Sequence, residues 1–242
     1  MKKLLMLAML GALTVNAGEL DEDINSERLW TPLQLNFASP LGLPWQNRDV
    51  YGIRANVFYG HSLDVYGLDI GLVGANRGDF GGVQLDVFGL TDGFFRGVQL
   101  GALGNFTVKN VYGVQLAGLI NWGLEDGFGA EMALLNFSAA YTGFQLGFLN
   151  WDYGANTGIT VGVVNTGLTD VSGFALGFSN YCKGNMSGVQ LGVINMVFGH
   201  SDGLQLGVVN ASDDHNGVQI GLMNLNASGT LEIMPLINVN FR

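Results

Sequence analysis

One cysteine, Cys182, among 242 residues leaves no intrachain disulfide to staple the fold, whatever the redox compartment. Four prolines and the absence of a Gly-x-y period exclude collagen, and an apolar fraction of 48% argues against disorder. Charge is scarce, at 12% of residues, and positive charge is scarcest, with ten Lys and Arg against twenty Asp and Glu. The formal net charge of −10 becomes −12 once Lys2 and Lys3 are removed with a leader. The remaining basic residues, Arg28, Arg48, Arg54, Arg77, Arg96, Lys109, Lys183 and Arg242, are scattered. Nucleic-acid binding needs clustered Lys and Arg to displace counterions, so nucleic acid is not an expected partner.

The N-terminus reads as an export leader. Lys2 and Lys3 precede an apolar run from Leu4 to Val15, and Val15-Asn16-Ala17 supplies small residues for cleavage. The run is too short to span a bilayer as a helix. Cleavage after Ala17 is expected, with Gly18 as the mature N-terminus. An acidic segment, Glu19-Leu-Asp-Glu-Asp23, follows, and residues 18–50 are expected to hold it and a first strand around Leu33 to Phe37.

What the chain has in abundance is glycine, 38 residues, and the glycines mark a repeat. Gly188-Val-Gln-Leu-Gly-Val-Ile-Asn195 recurs as Gly203-Leu-Gln-Leu-Gly-Val-Val-Asn210 and Gly217-Val-Gln-Ile-Gly-Leu-Met-Asn224. Earlier copies begin at Gly143, Gly158 and Gly173, and degenerate ones at Gly52, Gly67, Gly82, Gly97, Gly113 and Gly129. The intervals are 14 to 16 residues, so twelve units occupy residues 51–242 with a closing segment from Leu231 to Phe241. With the lead glycine as offset 0, offsets 1, 3 and 5 are apolar, while offsets 2 and 4 are usually Gln and Gly. Such period-two alternation, rich in Val, Leu, Ile and Phe, predicts one strand per unit followed by a connection. The natural assignment turns the apolar offsets toward a core and leaves a flat outer face of glycines around a row of Gln.

Two all-β architectures fit. In a parallel β-solenoid each unit of about 15 residues is one coil, and equivalent residues stack about 4.8 Å apart. In a transmembrane β-barrel of 12–14 strands each unit is one strand and its turn. The solenoid explains why consecutive units share one pattern with no thirty-residue alternation, and it stacks Asn150, Asn165, Asn180, Asn195, Asn210 and Asn224 into an amide ladder. The barrel explains aromatics near strand ends and a terminal run, Pro235 to Phe241, that alternates and ends on an aromatic. The solenoid is the expected architecture and the barrel its alternative.

The tandem units behind a leader resemble the bacterial surface-repeat proteins built from this short Gly-x-Gln-x-Gly-x-x-Asn motif. The resemblance covers about residues 31 to 242 and includes the closing Met234-Pro-Leu-Ile-Asn238. It implies a location at the cell surface or outer membrane of a Gram-negative-type bacterium, and it carries no established chemistry.

No catalytic constellation is legible. His61, His200 and His215 fall in predicted connections; His200-Ser201-Asp202 and Asp213-Asp214-His215 are adjacent in sequence, but consecutive side chains diverge. A calcium ladder requires carboxylates at a constant offset, whereas Asp92 and Asp213 lie at offset 10, Asp152 at 9, Asp170 at 12, Asp126 at 13 and Asp202 at 14. Cys182 beside Lys183 could be a reactive thiol or a tolerated one. No phosphate-binding loop pattern is present. The expectation is a non-enzyme with no catalytic residue, cofactor or metal, in a structural, adhesive or recognition role at the envelope, possible association with the outer membrane, and an unidentified protein or glycan ligand. One candidate interaction cluster is aromatic: Phe144, Phe148, Trp151 and Tyr153 in one unit, with Phe174, Phe178 and Tyr181 two units later. The competing reading places these rings in the core.

Overall fold

The computed structural model describes residues 29–38, 41–43, 48–229 and 231–241. The leader, its cleavage point and the acidic segment lie outside the described residues. Strands make up 79% of the structure, and no helix occurs among the described residues. The chain is a parallel β-solenoid of about 12 turns and not a barrel.

The register shows why. Gly143 lies opposite Gly158, Gly158 opposite Gly173, Gly173 opposite Gly188, Gly188 opposite Gly203 and Gly203 opposite Gly217, all in parallel ladders. Successive coils therefore superpose in parallel, each strand paired with the equivalent strand of the next coil, where barrel strands would alternate in direction. Antiparallel pairing is confined to the two ends: Leu35 opposite Leu43 at one, and Gly217 opposite Asn240 at the other. The expected first strand is present as Trp30–Ala38, and it stacks in parallel on Asp49–Ser62 with Gln34 opposite Arg54.

Each coil has two sides. The first carries offsets −2 to 3, as in Val171–Leu176; the second carries offsets 6 to 9, as in Ser179–Cys182. The bend between them falls at offsets 4 and 5, and the variable connection closes the coil.

The face assignment is the reverse of the expected one. The offset 2 side chains Gln84, Gln99, Gln145, Gln205 and Gln219 are 0% exposed, and so are Asn121, Asn150, Asn195 and Asn224 of the Asn row. Meanwhile Phe148, Phe178 and Leu222 at offset 5 are 57%, 56% and 69% exposed. Polar amides fill the interior, and the apolar offsets 1, 3 and 5 point out. Apolar residues enter the interior chiefly at offset −2, where Val50, Val65, Phe80, Phe95 and Val111 form one cluster, with Phe80 and Phe95 stacked at 5.3 Å. Cys182, Met186 and Val197 form a second.

The lead glycines are not there to flatten a surface. All twelve have φ between 120° and 148°, a region L side chains rarely adopt. A Cβ on Gly158 would sit 2.0 Å from the Gly143 carbonyl oxygen. Conformation and stacking exclude any other residue. Gly158→Ala is therefore expected to destabilise the fold by on the order of 3 kcal/mol or more, through backbone strain plus a backbone clash. Gly123→Ala, whose new Cβ would lie 3.7 Å from the Glu125 carbonyl oxygen, should cost under about 1 kcal/mol. Urea unfolding of both variants against the parent checks the contrast.

Candidate functional site

The interior is built from two amide ladders. Asn105, Asn121, Asn136, Asn150, Asn165, Asn180, Asn195, Asn210 and Asn224 form one unbroken row. Each Nδ2 donates to the Oδ1 of the next coil, at 2.8 to 3.1 Å. The same Nδ2 groups also donate to the next coil's offset 3 carbonyl, for example Asn165 to Leu176 at 3.0 Å. The Gln row runs the other way: Gln99 donates to Gln84 at 2.8 Å, Gln115 to Gln99 at 2.7 Å, and Gln219 to Gln205 at 2.7 Å. Each such bond contributes about 0.5–1.5 kcal/mol net, and an orphaned amide costs more than that.

Two ionisable clusters interrupt the Gln row, both sealed from solvent. In the first, Arg54 grips Asp69 bidentately through one guanidinium edge, from Nε to Oδ1 at 2.8 Å and from Nη2 to Oδ2, and its Nη1 donates to the Ala75 carbonyl at 2.9 Å. Asn56 and Gln84 donate to Asp69 at 2.7 and 3.1 Å. Asp86 faces this group, and burial followed by the charge of Asp69 raises its pKa. Gly74 at offset 7 makes the room, since a Cβ there would lie 2.0 Å from Asp86.

In the second cluster Glu131 takes the offset 2 position between Gln115 and Gln145. It accepts from Ser138 at 2.9 Å and from Gln145 at 3.2 Å. Burial, then the nearby Asp152 charge, pushes its pKa up to about 8. Asp152 accepts from Gln145 at 2.9 Å and from Asn156, and burial pushes its pKa up to about 6. Sequence reasoning passed over Arg54, Asp69, Asp86 and Glu131. Their signal was position: three of the four stand at offset 2, where seven of the twelve units write Gln.

The outer surface carries the residues singled out in the sequence, and the proposed core reading of the rings is overturned. Phe148 and Phe178 are exposed, and Phe144, Trp151, Tyr153, Phe174 and Tyr181 are half-buried. The two groups do not meet as one cluster, because the intervening coil separates them: Ile159 lies between Phe144 and Phe174, and Thr166 between Trp151 and Tyr181. They belong instead to long outer rows. Trp151 contacts Tyr153 at 6.3 Å, and Tyr181 contacts Phe198 at 5.2 Å.

The connections hold the remaining candidates. His200 bonds Asp214 at 2.9 Å and Asp202 at 3.1 Å; the Asp214 bond is the main cause of its raised pKa. Ser201 turns inward toward the Met186 sulfur at 3.8 Å, so His200 and Ser201 form no nucleophile–base pair. His61 and His215 are buried rather than solvated, and burial lowers the pKa of both, His61 to about 4. The Cys182 thiol is buried, donates toward the Thr169 and Asn185 carbonyls at 3.3 Å, and has its pKa pushed up to about 11 by burial. The reactive-thiol reading fails on that burial.

Connection carboxylates do align in part: Asp64 and Asp79, which the sequence reading left out, share offset 12 with Asp170. Asp64 accepts the Asp79 amide at 2.7 Å, and Asp79 accepts the Phe94 amide at 2.9 Å. Asp170 accepts the Asn185 amide at 2.7 Å, and the Asn185 side chain then accepts the His200 amide at 3.0 Å. These side chains cap backbone donors of the following coil. Among the described residues, no group of three His, Cys, Asp or Glu side chains is placed to hold a metal ion. Comparisons of the chain with protein-family models, curated proteins and solved structures found no match.

The raised acids make stability depend on pH. Folded Glu131 keeps its proton to about pH 8, whereas the unfolded chain releases it near 4.5. The unfolded state thus binds fewer protons across that window. Stability is complete below about pH 4.5 and falls as pH rises toward 8, at about 1.4 kcal/mol per pH unit for this group. Asp152 adds the same sign of slope between 3.8 and about 6. Glu131→Gln restores the row's usual residue. Its expected effect is a flatter stability profile between pH 5 and 8 and a gain of about 2 kcal/mol at pH 7.5, measured by thermal melts across a buffer series.

Proposed function

We propose that this chain is a non-catalytic, exported structural or adhesive protein of a bacterial envelope, whose solenoid is a rigid rod presenting a long apolar surface to a partner. The observation that carries this reading is the inverted polarity of the coil. Exposed Ile70, Leu100, Phe148, Phe178, Leu206 and Leu222 belong to continuous outer rows along the stack. Soluble monomers rarely expose contiguous apolar patches beyond a few hundred Å², and larger ones mark interaction sites. A non-catalytic role is supported by where the ionisable groups sit. Arg54, Asp69 and Asp86 in one cluster and Glu131 and Asp152 in another lie inside the coil, each at most 5% exposed and so out of a substrate's reach. Export is supported by the Lys2 to Ala17 leader, and envelope location by the resemblance to surface-repeat proteins.

Two outcomes are expected in a Gram-negative host. The chain should be recovered with the envelope beginning at Gly18, and Leu4→Asp with Leu5→Asp should leave it uncleaved in the cytoplasm. Phe148→Asp with Phe178→Asp should release the exported chain from the envelope into the soluble periplasmic or medium fraction, with its β circular dichroism unchanged. Recovery of the parent chain as a free soluble protein, or turnover of a substrate lost on one non-destabilising substitution, would contradict the reading.

A further inference from the structure

Exposed charge is concentrated toward one edge of the solenoid. From offset 1 to offset 8 of every coil, the Asp, Glu, Lys and Arg side chains are Arg54, Asp69, Asp86 and Glu131 alone, and all four are buried. Most exposed charges, such as Arg77, Asp92, Lys109, Asp126, Asp170 and Lys183, lie in the connections, and Arg96 and Asp202 stand at offset −1, level with the flank tyrosines. The opposite edge, at the bend, is apolar in coil after coil: Val57, Leu72, Phe148, Val163, Phe178 and Leu222 are all exposed there. In cross-section the rod is a wedge, with a charged base, an apolar apex and two apolar flanks.

Aromatic rows mark the boundary on both flanks. On one side Trp122, Trp151 and Tyr181 follow the Asn row; on the other Tyr51, Tyr66 and Tyr112 precede the lead glycines, with Tyr51 and Tyr66 stacked at 5.3 Å. Amphipathic rings between an apolar and a charged zone are the pattern of a membrane–water interface.

Building on the reading that the outer surface is a docking face, we infer that its occupant is the hydrocarbon of one leaflet of a lipid bilayer. The solenoid axis lies in the membrane plane, the bend is buried, and the charged connections stay in water. Shape favours this occupant over a second copy. The apolar surface is convex and continues around the apex onto both flanks, so another convex wedge covers one flank and leaves the other exposed. Fluid acyl chains cover both.

Depth agrees. From the aromatic rows to the apex is three to six residues of strand, on the order of 10–20 Å, against about 15 Å for half a hydrocarbon core of ~30 Å. The backbone at the apex is also fit for hydrocarbon, where unpaired amides are not tolerated. Phe148 N–H donates to Leu134 at 2.9 Å, Val193 to Phe178 at 3.0 Å and Val208 to Val193 at 2.9 Å. From inside, the Asn row takes the neighbouring carbonyls of Val161, Leu176, Leu191 and Leu206.

The test uses the purified mature chain, diluted from detergent onto vesicles of phosphatidylcholine and floated through a density gradient. The parent is expected to float, and Phe148→Asp with Phe178→Asp to lower the floated fraction at least tenfold with unchanged circular dichroism. Phe148→Trp should add fluorescence that lipids brominated on their acyl chains quench more strongly than the parent's own tryptophans. A parent chain that stays at the bottom of the gradient, a double variant that floats as the parent does, or an unquenched Phe148→Trp would each overturn the inference. A soluble dimer broken by the double variant would also overturn it, while leaving the docking role intact. A monomer that neither floats nor follows the envelope on fractionation would end both readings.

Discussion

Everything in this molecule depends on the close approach of one coil's lead glycine to the carbonyl of the glycine beneath it. At 2.0 Å from that oxygen there is no room for a Cβ on Gly158, and a φ of +134° would disfavour one anyway. This contact repeats eleven times, from Gly67 on Gly52 to Gly217 on Gly203, and Gly52 makes the same approach to the Pro32 carbonyl. It locks the coils in register, so that like residues fall above like. Once register is fixed, a row of Gln or Asn becomes a hydrogen-bonded column, and identical side chains that would be isolated in a globular core satisfy one another.

That column makes the inverted polarity tenable. A buried amide without partners costs several times what a net hydrogen bond contributes. Here each Asn Nδ2 reaches an amide oxygen and a backbone carbonyl of the next coil, as Asn180 does with Asn195 and Leu191. The narrow interior has little other volume to fill, and apolar packing is left to the offset −2 rows around Phe80 and Phe95. Where the array departs from amides, the departures come in compensating sets. Arg54 arrives with Asp69, and Asp86 arrives with glycine at position 74. Glu131 breaks the Gln row as an acid held largely protonated near neutrality, its pKa raised to about 8.

The repeat, its period, the parallel stacking and the Asn ladder were all legible in the sequence, because each follows from residue identity at a fixed spacing. The facing of the strands was not. Alternation tells two faces apart without saying which is inside, and the hydrophobic rule supplied the wrong answer. The units themselves held a clue. The Asn row is Asn in nine successive units, from Asn105 to Asn224, while offset 5 of the same units ranges over Val, Leu, Ala, Gly and Phe. A packed interior tolerates little variation in shape, and a face covered by something fluid tolerates a good deal. The aromatic cluster was half right. Phe148 and Phe178 do face outward, but the coil carrying Ile159 and Thr166 divides the group into separate members of longer rows.

The two amide columns run in opposite senses, and both end on the same strand, Ile233–Asn240. Asn238 donates to Gln219 at 2.8 Å, and Asn224 donates to the Met234 carbonyl at 3.1 Å. The closing segment therefore complements the last coil alone and takes no account of how many coils lie beneath it. Duplicating or deleting one whole unit would change the length of the rod by about 4.8 Å and leave its cross-section and its terminus as they are. In such a chain, size is a quantity that recombination within the gene can adjust in even steps, with the same stopper serving every length.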